Sequence, residues 1–237
     1  MARVEKVLAC AAALSALLSG SALAADKAGF YLGAEGGVSF SESTKWQNAE
    51  ELGAGPATFL QGTHVNTDAG TGWVVGLNAG YRFDDMFRTE LAVDYRSGYS
   101  VSTSQAGLLD KYNVDIDAWT FMVNGYIEPF RFGAFKPYAG GGVGLAVVQS
   151  RNASLHFRGA FADLSLPDQT ETNFAWQLGA GVAYELNERV TLDLGYRHLD
   201  AGQITVGSNT TASGGVAEHS KGSLVTDEVL LGARYTF

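Results

Sequence analysis

The run Tyr196-Arg197-His198-Leu199-Asp200 is the part of this chain that comes nearest to a catalytic constellation. A histidine with a hydroxyl nucleophile two residues on would be a general base beside its partner, the arrangement of acyl transfer. The residue two places on is Asp200, and a carboxylate cannot serve as the same acyl acceptor. His198 therefore reads as an interfacial ring with one wet nitrogen. The remaining histidines, His64, His156 and His219, stand singly and match no metal-site spacing. Gly140-Gly141-Gly142-Val143-Gly144 is rich enough in glycine to suggest a phosphate cradle, but no helix follows it and its glycines recur at period two. The single cysteine, Cys10, lies in the first 24 residues, so thiol and disulfide chemistry are not expected of the rest. No catalytic residue, metal ligand or cofactor is assigned.

The charges that recur at every second position carry more information. Six arginines, Arg82, Arg88, Arg96, Arg189, Arg197 and Arg234, share the parity of the small and polar residues in their segments. So do six carboxylates, Glu35, Glu90, Asp94, Glu185, Asp193 and Glu228. The two sets cancel. Arginine presents a planar fork that pairs carboxylates bidentately and loses hydration more readily than an ammonium. Since an isolated buried charge costs several kcal/mol, these twelve side chains are expected to knit into one network inside a closed structure.

Eight period-two segments would position them: 30–40, 73–83, 87–95, 119–127, 137–148, 174–186, 189–199 and 229–237. In the second, Trp73, Val75, Leu77, Ala79, Tyr81 and Phe83 alternate with Val74, Gly76, Asn78, Gly80 and Arg82. Eleven residues at ~3.3 Å each, tilted by roughly 40°, rise about 28 Å, close to the ~25 Å apolar band of an outer-membrane barrel. The connections alternate between long and short: 41–72, 84–86, 100–113, 128–134, 149–173, 187–188 and 200–223. Trp73, Trp119 and Trp176 fall at the long-loop ends, and Phe83, Tyr184 and Tyr235 at the short-turn ends with Phe30, Phe87 and Phe237. Two belts of rings so spaced are aromatic girdles at the two faces of a membrane. Asp115 and Asp117 share the parity of Trp119, so hydrocarbon should begin near that tryptophan. The expected fold is all-β: an eight-stranded antiparallel up-and-down transmembrane β-barrel with four long extracellular loops and three short periplasmic turns.

Residues 1–24 read as a signal peptide, with Arg3 and Lys6 before an apolar run and Ala22-Leu23-Ala24 at its end, and residues 25–237 as the barrel domain. Removing Arg3, Lys6 and Glu5 takes the 16 basic and 25 acidic residues to 14 and 24, a net charge of −10. A chain so acidic has no general affinity for nucleic acid. Eight strands enclose a space that side chains fill, so the lumen is expected to be a packed polar core and not an open channel.

Four stretches resemble the small eight-stranded outer-membrane barrels of the OmpA-type and opacity-protein group: Gly29-Phe30-Tyr31-Leu32-Gly33, the segment 136–144, the segment 194–202, and Arg234-Tyr235-Thr236-Phe237. The resemblance implies residence in the outer membrane of a Gram-negative bacterium, contact with outer-membrane lipid, and Phe237 as the mark read by the outer-membrane assembly machinery. The chain departs from the longer OmpA relatives in that a peptidoglycan-binding domain after Phe237 is not expected. The function the resemblance implies is that of a structural or surface protein acting through its extracellular loops on envelope integrity, adhesion or antigenic contact, with a host or envelope partner. A narrow porin-like channel and a lipid-modifying enzyme are the alternatives. Oligomeric state is not legible.

Overall fold

The computed structural model describes residues 28–41, 44–48, 65–67, 70–103, 109–157, 164–165, 168–207 and 219–237. The expected signal peptide lies outside these residues. The described strands are β1 (Gly29–Ser41), β2 (Thr44–Asn48), β3 (Val65–Thr67), β4 (Thr71–Arg82), β5 (Phe87–Thr103), β6 (Leu109–Ile127), β7 (Phe135–Phe157), β8 (Leu164–Ser165), β9 (Gln169–Glu185), β10 (Val190–Gly207) and β11 (His219–Thr236). Eight of them form the wall in the order β1-β4-β5-β6-β7-β9-β10-β11, each antiparallel to its neighbours, and β1 pairs with β11 from Tyr31↔Thr236 to Ser41↔Thr226 to close it. The short strands β2, β3 and β8 pair at the long-loop rim.

The polarity of this cylinder is inverted relative to a soluble sheet. Leu77 is 68% exposed on the outer face, and Leu231 and Phe174 are nearly as open, while Asp94, Arg96 and Glu228 are wholly buried in the lumen. Alternation at period two with apolar residues outward requires an apolar solvent outside.

Three sharp turns join strands at one end. Asp84 Oδ1 accepts the backbone N–H groups of Met86 and Phe87, both at 2.7 Å, and Asn187 Oδ1 accepts those of Arg189 and Val190, both at 2.9 Å. These are side-chain mimics of a backbone turn, the reason Asp and Asn are favoured there. Between β6 and β7 the chain reverses at Phe132–Phe135, with Gly133 at φ +63°. Glycines at 140, 142 and 144 line the inner face of β7, where a Cβ would strike Tyr126, Asn124 and Met122 of β6. Their smallness lets the β6 side chains enter the lumen.

Two features depart from the sequence reading. The strands run further at the long-loop end than the alternation indicates, so that β5, β6, β7, β10 and β11 extend into the stretches 100–113, 149–173 and 200–223. Beyond the tryptophan girdle the outer solvent becomes water, and the apolar-outward pattern stops although backbone pairing continues. For the same reason the lumen is not polar throughout. At this end Tyr99, Val114, Ile116, Val148, Leu199, Ile204 and Leu224 pack as one buried apolar cluster, an ordinary core with a wet exterior. A bulge between Arg96 and Tyr99, with Gly98 at φ +94°, inverts the parity of β5 and turns Tyr99 inward.

Candidate functional site

The wall brings the inward charges together as two clusters. In the one nearer the short turns, Arg88 is buried, donates to Glu128 at 2.9 Å and to Glu90 at 3.0 Å, and lays its guanidinium over the Tyr126 ring, 3.7 Å from the centroid. Glu90 also accepts the hydroxyls of Tyr31 and Tyr126, each at 2.9 Å. Arg234 grips Asp193 with two parallel bonds of 2.7 and 2.8 Å. Arg82 lies 3.6 Å from Glu128 and 3.8 Å from Glu185.

The second cluster sits toward the apolar cap and centres on Glu228. Arg96 Nε reaches it at 2.5 Å and Arg197 at 2.6 Å, and Ser39 Oγ donates at 3.1 Å. Tyr99 donates in turn to Ser39 at 2.5 Å. Arg197 Nη1 also meets Glu35 at 2.7 Å and Asp94 at 3.5 Å, and Arg96 Nη1 donates to Thr120 at 2.7 Å. Each guanidinium thus faces at least two acceptors, which is how buried ions avoid an uncompensated desolvation cost.

Eleven of the twelve side chains expected in a network lie in these clusters. Arg189 does not: it is exposed in the turn between β9 and β10 and donates to Tyr235 Oη at 3.4 Å. Its inward parity fails because the chain is turning at that residue, not pairing. Two residues missing from the sequence expectation belong to the network. Glu128 is buried between Arg88 and Arg82, and Lys136 is buried with its ammonium 2.8 Å from Glu185, so the bases are not all arginine. Both continue the inward parity of their strands, from Tyr126 and Tyr138, by one step. That step was legible.

Glu185 marks the rim of the short-turn end, beyond the Tyr184 ring. Burial pushes its carboxyl up, but the Lys136 ammonium 2.8 Å away, joined by Arg131 and Arg82, outweighs this and holds it below the usual carboxylate range.

The girdle rings form contacts across strands. Trp73 and Trp119 flank Tyr95, with centroid separations of 5.5 and 4.8 Å, at the long-loop side. At the other end Phe83 packs on Tyr81 at 5.2 Å, Tyr184 on Phe135 at 5.0 Å and Tyr235 on Phe237 at 5.3 Å. Trp176 lies 5.5 Å from the His198 ring, whose Nδ1 is 3.0 Å from Asp227. Asp200 is spent on the backbone: its Oδ1 accepts the N–H of Gly202 at 2.9 Å and shapes the bulge in β10.

This closed wall, with its apolar exterior and ion-paired interior, matches the family described as "Outer membrane protein beta-barrel domain" over residues 10–237. The chain belongs to that family. Its relatives are proteins of the Gram-negative outer membrane, and that is where this barrel resides. Similar proteins include an uncharacterized protein of Brucella abortus, 30% identical over 194 residues covering 73% of this chain and 68% of the relative. Outer membrane protein PagN of Salmonella typhimurium is 27% identical over 68% of this chain and 72% of its own. The Rickettsia conorii protein named "Putative adhesin RC1281" is 29% identical over 88% of this chain and 89% of its own. Among solved structures, the outer membrane protein OprG of Pseudomonas aeruginosa superposes with a TM-score of 0.54 at 18% identity, covering 89% of this barrel and 97% of that chain. The likeness to OprG is one of fold.

Proposed function

We propose that this barrel is a surface-interaction protein, working through its long loops on adhesion, antigenic contact or envelope integrity and not by passing solutes. The observation that carries the reading is the filled bore. Two ion-paired clusters occupy its middle and short-turn end, and an apolar plug of Leu199, Ile204, Leu224 and their neighbours closes the end toward the long loops. Eight strands leave little room besides side chains. The surface left for recognition is the rim, where β5, β6, β7, β10 and β11 carry the loops clear of the tryptophan girdle. The rickettsial relative whose name calls it an adhesin supports a role in contact. Assembly relies on the terminal strand, with Phe237 as the residue read by the outer-membrane assembly machinery.

Bacteria carrying the barrel with the segments between strands, 49–64, 158–163 and 208–218, exchanged for short linkers test the reading, scored for binding to host cells and for envelope leakage. Loss of contact with the exchanged barrels still folded in the membrane is expected. Large, stable conductance steps from the unaltered protein in planar bilayers would favour the porin-like alternative instead.

A further inference from the structure

We propose that the lumen holds a binding site for one partly hydrated monovalent cation of the sodium or potassium class, in the cavity lined by Glu35 and Gln177, with Asp94 beside Glu35. The first ground is charge. The cluster around Glu228 contains three carboxylates, Glu35, Asp94 and Glu228, against two guanidiniums, Arg96 and Arg197. The cluster nearer the turns is balanced: Arg82, Arg88, Lys136 and Arg234 face Glu90, Glu128, Glu185 and Asp193, and at its exposed margin Arg131 on Glu185 is matched by Asp85 on Lys136. One negative charge in a medium of low dielectric is left uncompensated, a costly condition.

The second ground is independent of charge counting. Among the described residues, three buried side-chain oxygens receive no hydrogen bond: Asp94 Oδ1, Gln177 Oε1 and Asn78 Oδ1, on residues 0%, 3% and 9% exposed. The two buried nitrogens that lack an aligned hydrogen bond, Lys136 Nζ and Arg197 Nη2, have carboxylates at 2.8 and 2.6 Å. Among the described residues the unmet demand inside the barrel is therefore for positive charge and for donors.

The third ground is space. Glu35 and Asp94 lie on either side of Gly76 in the register of β1, β4 and β5. A Cβ at Gly76 would run into Asp94 Oδ1 and lie 3.3 Å from Glu35 Cγ, so Asp94 Oδ1 and the Glu35 stem meet over a residue that has no side chain, while the two carboxylates share Arg197 Nη1. Asn78 is the next inward residue on β4. Glu35 and Gln177 line the same cavity, of about 40 Å³, with Tyr126, Tyr138, Asp193 and Arg197. At roughly 10–15 Å³ per water, that volume takes about three or four waters, or an ion that keeps two or three of them. Hard oxygen donors suit a hard cation. No group of three or more His, Cys, Asp or Glu among the described residues is arranged to hold a metal ion, and each carboxylate here already shares an arginine, so the fitting charge is one and not two.

The test is thermal unfolding of the refolded barrel in detergent in sodium, potassium and N-methyl-D-glucamine chloride, at one ionic strength and repeated over a series of pH values, with sodium NMR linewidths on the same samples. The midpoint is expected to rise with the logarithm of sodium or potassium concentration above the glucamine reference. The sodium resonance should broaden with protein and sharpen on adding potassium. Glu35→Gln, whose amide oxygen still accepts from Arg197, should lose both effects. If that variant does not fold, Gln177→Leu replaces it with the same expectation. Equal midpoints in the three salts with an unbroadened sodium line would overturn the proposal. A midpoint that follows pH but ignores the identity of the cation would overturn it as well, assigning the missing charge to a proton, and so would cation effects that survive in a folded Glu35→Gln.

Discussion

Replacing Glu228 by glutamine should destabilise the barrel by about 3 kcal/mol, and the figure can be built from its surroundings. Glu228 is fully buried and accepts charge-assisted bonds from Arg96 at 2.5 Å and Arg197 at 2.6 Å, with weaker ones from Ser39 at 3.1 Å and Thr226 at 3.3 Å. A hydrogen bond to a charged group contributes about 1.5–3 kcal/mol, so losing the charge in two of them sets a ceiling near ~6 kcal/mol. Two effects lower it. Asp94 remains 3.4 Å from Arg96, and Glu35 remains 2.7 Å from Arg197, so neither guanidinium is orphaned. The substitution also removes the surplus negative charge of the cluster. Breaking a buried ion pair typically costs about 3–5 kcal/mol, and these offsets place the expected loss at the lower end. Urea unfolding in lipid vesicles, followed by tryptophan fluorescence, measures it, with exposed Glu188→Gln in the β9–β10 turn as the control. A loss under about 1 kcal/mol, or one equal to the control, would refute the view that the cluster is a stabilising core; combining the substitution with Arg96→Met should then show no coupling either.

Leu77→Arg, on the outer face near the middle of the band, should cost about 2–4 kcal/mol in the same assay, and a cost near zero would mean that lipid does not wet that face. Glu185 has a carboxyl pKa depressed below the usual 4.5, so its contribution is complete above about pH 4.5 and fades as pH falls through the lower folded-state value; Glu185→Gln should flatten that part of the stability-against-pH curve and leave at neutral pH only the loss of its pairing to Lys136, Arg131 and Arg82. Deleting Phe237 should reduce the amount of barrel reaching the cell surface while leaving the unfolding midpoint of what does assemble nearly unchanged; an undiminished surface yield would contradict its role in assembly.

The wall was legible because lipid enforces a rule at every second residue. In β4 and β11 the outward Trp73, Val75, Leu77, Val229, Leu231 and Tyr235 are all exposed, as alternation requires. The rule stops where the solvent changes. Past Trp119 and Trp176 the wall enters water, its polarity reverts to that of a soluble protein, and the apolar cap of Ile116, Leu199 and Leu224 carries no signal that a membrane-period search would find. Tyr99 was hidden for a different reason, since the bulge at Gly98 shifts its parity by one. Arg88 and Glu90 are inward neighbours on one strand, so their pairing could be read from spacing. The contact of Arg96 with Glu228 could not: it joins residues 132 apart across the bore, and its existence depends on strand stagger, which composition does not encode.

The division of the interior into an ionic half and an apolar half bears on how such a protein can vary its surface. Within the membrane the outer face is already apolar, so burying further apolar side chains in the lumen would leave nothing to distinguish inside from outside when a strand slips by one residue. Arginine–carboxylate pairs make that slip expensive, because it would turn Asp94, Arg96 and Glu228 into hydrocarbon. Above the girdle the ordinary hydrophobic core resumes, tying β5, β6, β7, β10 and β11 together through Tyr99, Ile116, Val148, Ile204 and Leu224. Register is thus fixed below the rim by charge and at the rim by packing, and neither depends on the residues in the loop centres. A loop sequence can then change without moving the strands that carry it.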